Sequence, residues 1–174
     1  MRPSLPQRDP LKDPEPLIRR VYAYVAYRMG DGPDAEDVTS ETFARALRYR
    51  DSYDAAKGAP ISWLIGIARR CVDESFGEPR PASDPPERAA AGDLETEALE
   101  RLTLASALGR LGERDRELIA LRYGADLSAR QIAQRLESST NAVEVALHRA
   151  RSRLRAVLEG RPEQTSAPIA DDGL

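Results

Sequence analysis

The sequence is poor in the residues that build disulfides, zinc sites and nucleophilic active sites. Its 174 residues include one cysteine, Cys71, and one histidine, His148. One cysteine cannot form an internal disulfide, and the pair is too few for a zinc site of cysteine and histidine ligands. A Ser-His-Asp triad would have to use His148, which lies among arginines in a predicted helix. We therefore expect a protein that is not an enzyme, with no metal or cofactor, and with Cys71 packed in the core rather than acting as a redox sensor.

Long apolar runs and aromatic residues are also scarce. No run approaches the ~18 apolar residues needed to cross a membrane, and residues 1–16 contain no apolar leader. Aromatic residues make up 5% of the chain and hydrophobic residues 41%, a balance that suits small helical domains. No stretch shows the alternation of a half-buried strand. We expect an all-α, cytoplasmic protein without membrane insertion.

The charge of the chain is distributed unevenly. The net charge of −3 excludes a generally basic DNA-coating protein. However, residues 77–100 carry two basic and seven acidic side chains, whereas residues 128–160 carry six basic and three acidic ones. Such a local concentration of positive charge is what phosphate contact requires.

The basic segment has the pattern of a helix-turn-helix. Ser128 is the predicted N-cap of a short first helix, and small polar residues at 137–141 break the apolar pattern. A longer second helix is capped by Ser139, with Asn141 and Glu144 as an alternative capping pair. It carries one apolar stripe: Val143, Leu147, Ala150, Leu154 and Val157. In this motif the second helix enters the DNA major groove.

The pattern of residues in the rest of the chain predicts a second helical unit and three unstructured segments. Three helices are expected between Pro16 and Phe76, with Val38, Phe43, Ala46 and Leu47 on the inner face of the second. Helical pattern is also expected from about Asp93 to Leu111, and another helix from Glu113 to Tyr123. Composition divides the chain into a disordered tail (1–14), a domain (15–76), a flexible linker with four prolines (77–92), a second domain (93–159) and a disordered tail (160–174).

Four motifs, in this order, resemble an extracytoplasmic-function sigma factor of the bacterial sigma-70 family. They are DAEDVTSETFARAL at 34–47, YDAAKGAPISWLIGIARR at 53–70, LGERDRELIALRYGADLSARQIAQRL at 111–136 and NAVEVALHRARSRLR at 141–155. The resemblance implies two small helical domains, a region 2-like three-helix bundle and a region 4-like helix-turn-helix domain, joined by a flexible linker. It also implies a factor that binds core RNA polymerase and directs transcription initiation at −10 and −35 elements.

The resemblance and the local chemistry together nominate three groups of site residues. The −35 group comprises Arg130, Ser139, Thr140, Asn141, Glu144, Val145, His148, Arg149, Arg151 and Arg153. In it the arginines position the helix on phosphates, Ser139 caps the helix, and the others meet base edges. The −10 group comprises Lys57, Trp63, Arg69 and Arg70. The group expected to contact the β′ clamp of the polymerase comprises Asp37, Ser40, Glu41 and Arg45.

Several of these positions depart from the family or have a second interpretation. Trp63 can stack on an unpaired base, but its apolar neighbours favour core packing. Many relatives continue with a basic tract after Cys71 and carry basic residues where Glu144 and Ala146 stand. The family usually has glutamine at the position of Ser40.

Two other functions remain open from the sequence. One is a helix-turn-helix regulator that does not bind core polymerase as a sigma factor does, and the other is a partner-binding protein without promoter activity. For a sigma factor of this group, the resemblance implies an anti-sigma factor as a regulatory partner.

Overall fold

The computed structural model describes residues 9–77 and 93–160, and all of the regular structure within them is helical. This confirms the all-α prediction. The seven α-helices are α1 (Pro14–Met29), α2 (Pro33–Arg48), α3 (Pro60–Gly77), α4 (Asp93–Arg110), α5 (Glu113–Ile119), α6 (Ala129–Arg135) and α7 (Thr140–Leu158). A short 3-10 helix, Arg50–Ser52, follows α2, and a π-helical turn, Ala120–Gly124, follows α5.

Proline marks the start of each of the first three helices, at Pro14, Pro33 and Pro60. Its fixed φ is helical already, and its missing N–H falls where the first turn has no acceptor. Gly30 then ends α1 with a φ of +99°, a conformation that residues with a Cβ rarely adopt. Local chemistry therefore sets where α1–α3 begin and how α1 stops.

Helices α1–α3 form the predicted three-helix bundle. Its core is apolar, with the following side chains buried: Val21, Val25, Val38, Ala46, Leu64, Ile65, Ala68, Cys71 and Val72. Burial raises the pKa of the Cys71 thiol, as expected for a packing residue.

The inner face of α2 differs from the prediction. Leu47 is 58% exposed, whereas Thr39 and Thr42 are buried. The hydroxyls of Thr39 and Thr42 donate to the carbonyls of Ala35 and Val38, both at 2.7 Å, so burial leaves neither hydroxyl unsatisfied. The prediction for Leu47 was wrong because the buried stripe of α2 passes through these two threonines.

The second helical unit contains the predicted helix-turn-helix. The Ser128 hydroxyl accepts from Gln131 N–H while the Gln131 side chain accepts from Ser128 N–H, a complete capping box at the start of α6. Ser139 caps α7 by accepting from Ala142 N–H at 3.1 Å. Both predicted caps are confirmed, and Val143, Leu147, Ala150 and Val157 of α7 are buried.

The helix predicted from Glu113 to Tyr123 is α-helical only as far as Ile119. The chain then widens into the π-helical turn, which the sequence pattern did not predict. The side chain of Arg122 holds the end of this turn by donating to the carbonyl of Leu127 at 2.9 Å. The turn directs Gly124 and Ala125, both buried, toward α1.

The two helical units are packed against each other and share one hydrophobic core. Tyr24 of α1 and Leu118, Leu121 and Ile132 of the second unit belong to the same cluster of buried residues. A smaller cluster, formed by Leu108, Leu111, Ile119 and Ala150, joins α4, α5 and α7. The sequence predicted two units but not this contact between them.

The predicted segment boundaries are covered only partly by the described residues. Gly77, predicted as the first linker residue, is the last residue of α3, and Pro14, predicted in the N-terminal tail, begins α1. The predictions for residues 1–8, 78–92 and 161–174 lie outside the described residues. In the part of the chain that is described, no helix is long and apolar enough to cross a membrane.

Candidate promoter and polymerase interfaces

The N-terminal half of α7 presents a polar face to solvent. Asn141, Glu144 and His148 are exposed, and Val145 is 43% exposed although it is apolar. The opposite face of α7 is held in the core, so the orientation of these side chains is fixed by packing. A capped helix with one open face at its N-terminus is the geometry by which a recognition helix meets base edges.

The arginines of the predicted −35 group do not share one environment. Arg130, Arg149 and Arg151 are exposed. Arg153 is exposed as well, but its guanidinium donates to Asp115 of α5 at 2.7 Å, and the Asp115 side chain is only 14% exposed. Thr140 is also exposed, whereas the hydroxyl of Ser139 is engaged in capping the helix.

The predicted polymerase-contacting group lies along α2. Asp37 and Ser40 are exposed. Arg45 lies between two carboxylates: its guanidinium donates to Glu41 at 2.6 Å and to Glu74 of α3 at 2.7 and 3.0 Å. The hydrogen bond from Arg45 lowers the pKa of Glu74, and the two carboxylates raise the pKa of Arg45. This ion-pair network ties α2 to α3 and orients Arg45 along the bundle surface.

Two residues of the predicted −10 group meet in a cleft between the helical units. Lys57 and Trp63 line it together with Gln131, Gln134 and Arg135 of α6, and its volume is about 360 Å³. Trp63 is half-buried and packs against Tyr53, with ring centroids 5.6 Å apart and planes at 58°. Trp63 also packs against the buried core, so it has both a packing role and a place in the lining of the cleft, which Tyr53 shares.

The other two residues of that group point elsewhere. Arg70 lines a second groove, of about 680 Å³, together with Trp63 and the α2 residues Arg45 and Tyr49. Arg69 is exposed and lies 4.0 Å from Asp73. Trp63 thus borders both spaces, with Lys57 in the cleft and Arg70 in the groove, and the structure does not gather all four residues in one site.

Several charged residues that the sequence analysis did not nominate lie between the two helical units. The guanidinium of Arg28 pairs with the carboxylate of Glu117, and both residues are buried, at 4% and 7% exposure. Arg20 donates to the main-chain carbonyls of Ala125 and Asp126 at 2.8 and 2.9 Å. Arg28 follows Tyr24 by one turn on an otherwise apolar stripe of α1. An arginine at a position where the stripe predicts an apolar residue was the feature of the sequence that could have indicated a buried ion pair.

Arg135 makes the corresponding contact at the other end of the interface. Its Nη1 donates to the carbonyl of Ser62 in α3 at 2.9 Å. Burial lowers the pKa of its guanidinium. A Cβ at Gly66 would lie 3.4 Å from its Nη2, so the small residue leaves room for the guanidinium on the surface of α3.

The described residues show no metal-binding arrangement. Among them, no group of three or more histidine, cysteine, aspartate and glutamate residues is placed to hold a metal ion. The surfaces described above combine basic side chains with amides, hydroxyls, carboxylates and one indole. This chemistry suits the binding of nucleic acid and protein.

Two family models match the chain. Sigma-70 region 2 matches residues 15–74, which include α2 and most of α1 and α3. Sigma-70 region 4 matches residues 101–154, which include α5, α6 and most of α7. The two matches fall on the two helical units in the order that the sequence motifs indicated.

Named relatives and solved structures give the same result. The sigma factor BldN of Streptomyces coelicolor is 33% identical over 141 residues, 75% of this chain, and the chain spans about half of BldN (53%). The sigma factor SigK of Mycobacterium ulcerans is 30% identical over 151 residues, covering 81% of this chain and 77% of SigK.

Among solved structures, CnrH in complex with the cytosolic domain of CnrY is similar with 26% identity and a TM-score of 0.59, covering 83% of each chain. The sigma factor RpoE of Bartonella quintana, in complex with the anti-sigma factor NepR, shares the fold at 22% identity and a TM-score of 0.59, covering 83% of this chain and 93% of that one. The chain belongs to the extracytoplasmic-function sigma factors of the sigma-70 family.

Proposed function

We propose that this sigma factor binds core RNA polymerase in the cytoplasm and directs it to promoters through two DNA contacts. The observation that carries the proposal is the presence in one chain of an exposed, capped recognition helix and a bundle that matches sigma-70 region 2. The region 2 match disfavours a regulator that shares only the helix-turn-helix. We take residues 15–76 and 93–159 as the two working regions, which act by binding rather than by catalysis.

The −35 element is read by the exposed face of α7. Asn141 can pair bidentately with adenine, Glu144 can accept from cytosine, and Val145 can contact a thymine methyl group. Thr140 and His148 lie beside them on the same exposed surface. The exposed arginines Arg130, Arg149 and Arg151 contact phosphates and set the register of the helix.

The −10 element is held near the N-terminal end of α3. Lys57 and Arg70 provide positive charge on either side of Trp63, and Arg69 is exposed one residue before Arg70. An indole beside basic residues can stack on an unpaired base, a contact worth roughly 1–3 kcal/mol. The side of Trp63 that faces the cleft is the surface for this contact.

The polymerase-contacting surface is the outer face of α2. Asp37 and Ser40 are exposed there, and Glu41 and Arg45 form the ion-pair network with Glu74 at its edge. The network fixes the direction of the Arg45 side chain before any partner arrives, so less side-chain entropy is lost on binding. The partner at this face is the β′ clamp.

An anti-sigma factor is the expected regulatory partner. The similar chain of CnrH is in complex with the cytosolic domain of CnrY, and RpoE is in complex with the anti-sigma factor NepR. We propose that a protein of this class also binds the present sigma factor.

Run-off transcription with purified core polymerase on genomic fragments tests the proposed function. The expected result is transcripts that start at a few sites and depend on the added chain, with shared −10 and −35 sequences upstream. The Asn141→Ala variant should lose discrimination at one −35 position, at a cost of about 1–3 kcal/mol. Intact, folded chain that never binds core polymerase would contradict the proposal.

A further inference from the structure

The loop that carries Lys57 is held in shape by hydrogen bonds of its own. This Lys57 loop, residues 54–59, follows Tyr53 and leads into α3. The carboxylate of Asp54 accepts from Ala56 N–H at 2.9 Å, and the carbonyl of Asp54 accepts from Lys57 N–H at 3.0 Å. Such a pair of bonds is typical of a turn that begins with aspartate. The bonds fix the first half of the loop, and its return to α3 depends on other contacts.

Tyr53 holds the second half of the Lys57 loop. Its hydroxyl donates to the carbonyl of Gly58 at 3.0 Å, so the bond reaches across the loop from the residue before it to the residue after Lys57. Gly58 has a φ of +148°, a backbone conformation that residues with a Cβ rarely adopt. The carbonyl that Tyr53 binds is thus presented by a conformation that favours glycine.

The ring of the same tyrosine packs against Trp63, in the tilted contact described above. Tyr53 is 5% exposed, so its surroundings fix the direction of the ring. The N–H of Trp63 donates to the carbonyl of Ala59, the last residue of the loop, at 3.4 Å. One buried side chain therefore contacts both the loop that carries Lys57 and the indole, and Lys57 and Trp63 line the same cleft.

The hydroxyl of Tyr53 has a role that packing alone does not explain. A phenylalanine would fill the place of the ring. A buried hydroxyl destabilises the fold unless it has a partner, and the Gly58 carbonyl is that partner. Burial raises the pKa of the Tyr53 hydroxyl, so the group stays protonated and able to donate. The hydroxyl thus acts on the loop, whereas the ring acts on the indole.

We propose that Tyr53 is a positioning residue of the −10 site, which holds Lys57 and Trp63 at a set separation so that one unpaired nucleotide meets both. Lys57 contacts the phosphate and Trp63 stacks on the base. Because Tyr53 orders the loop before DNA arrives, less entropy is lost on binding. The inference rests on the proposed function, because it uses the assigned −10 group.

Tyr53→Phe separates the two contacts, because it removes the hydroxyl and keeps the ring. Tyr123→Phe is the matched control: it makes the same chemical change at an exposed tyrosine of the π-helical turn, outside the cleft. Circular dichroism checks the helix content of both variants. The fluorescence of Trp63, the only tryptophan of the chain, checks that the indole keeps its surroundings.

Cleavage by a lysine-specific endoproteinase measures the order of the loop in the full, free chain. The chain has two lysines, so cleavage after Lys57 reports this loop and cleavage after Lys12 is an internal control. Loss of one neutral hydrogen bond should raise the rate of cleavage after Lys57 about fivefold in Tyr53→Phe. The rate after Lys12 should not change, and Tyr123→Phe should change neither rate. An unchanged rate after Lys57 in Tyr53→Phe would overturn the proposal.

Binding of a forked DNA with a single-stranded −10 element by the complex of core polymerase and this chain measures the positioning. Lys57→Ala should lower the slope of log affinity against log salt by about 0.7, the value for one phosphate contact on a single strand. Tyr53→Phe removes no charge, yet it should shift this slope in the same direction and lower the affinity by up to about fivefold. In a Lys57→Ala background it should have no further effect, because the hydroxyl acts through Lys57.

The double variant distinguishes positioning from a structural role. Additive effects of Tyr53→Phe and Lys57→Ala on affinity, or a salt slope that Tyr53→Phe leaves unchanged, would overturn the positioning role. Wild type tests the proposed function separately. If wild type binds neither core polymerase nor the forked DNA while cleavage after Lys57 still rises in Tyr53→Phe, the hold of Tyr53 on the loop is supported and the proposed function is what fails.

Discussion

The carboxylate of Glu117 accepts hydrogen bonds from the Tyr24 hydroxyl, at 3.0 and 3.1 Å, and pairs with the guanidinium of Arg28 on the next turn of the same helix. All three side chains are buried where the region 2 and region 4 units meet. The Arg28 guanidinium also lies 3.6 Å from Glu113 and 3.8 Å from Asp73, both exposed. One charged group from each unit is thus compensated mainly by the other.

Glu117→Ala should lower the free energy of unfolding by about 3 kcal/mol, because Arg28 would stay buried with only its two more distant partners. Tyr24→Phe should lower it by about 1 kcal/mol, the usual value of one hydrogen bond. Urea unfolding followed by circular dichroism measures both. Glu113→Ala, an exposed glutamate on the same helix, should stay within about 0.5 kcal/mol of wild type. Equal losses of free energy for Glu117→Ala and Glu113→Ala would show that the buried pair contributes no more to stability than the exposed glutamate does.

Ser128→Ala and Ser139→Ala should each lower the free energy of unfolding by about 1 kcal/mol, since each removes the oxygen that caps a helix of the helix-turn-helix. Thermal unfolding of the two variants measures the loss. Ser138→Ala is the control, because Ser138 lies in the same turn and caps neither helix. A loss at Ser138 as large as that at Ser139 would contradict the assigned cap.

Cys71 should react with a thiol reagent at pH 8 more than about tenfold more slowly in the native chain than in the unfolded chain. Burial raises the pKa of its thiol, and the thiolate is the reactive form. The folded state favours the neutral thiol, so this contribution to stability is complete below the ordinary thiol pKa of 9.0 and is lost as the pH rises above it. Cys71→Val should abolish the signal, because the chain has no second cysteine. Fast reaction of the native thiol would instead favour a redox sensor.

Arg149→Ala and Arg153→Ala should differ in their effect on DNA binding. Arg149 is exposed, so its loss should lower the slope of log affinity against log salt by about one. Arg153 is paired with Asp115, so its loss should change the slope less. Binding of a −35 duplex at several salt concentrations measures both slopes. Asp115→Asn should strengthen binding of the −35 duplex by releasing Arg153. If this variant binds the duplex as wild type does, the ion pair does not distinguish Arg153 from Arg149.

The sequence predicted the local structure well where a single helix carries its own signals. Ser128 with Gln131, and Ser139 before Thr140, mark helix starts by chemistry that needs no partner. The alignment of apolar residues in α7 likewise follows from spacing alone. Family membership was also readable, because the motifs are linear and lie in a fixed order.

What the sequence did not predict depends on contacts between distant segments. The buried Thr39 and Thr42 look polar in the pattern, and only their hydrogen bonds to the preceding turn explain their burial. The π-helical turn packs against α1, a hundred residues earlier, and this contact creates the demand for glycine at 124. Arg153 looked like a phosphate contact because its partner, Asp115, lies on another helix.

The cross-unit hydrogen bonds of Arg20 and Arg135 all end on main-chain carbonyls, those of Ala125, Asp126 and Ser62. A main-chain carbonyl is present whatever the side chain of its residue, so substitutions at the three accepting positions leave the acceptors in place. Substitution of a donor arginine should therefore remove these hydrogen bonds, whereas substitution of an accepting residue should keep its acceptor. Arg135→Ala should therefore lower the free energy of unfolding more than Ser62→Ala, which keeps the accepting carbonyl.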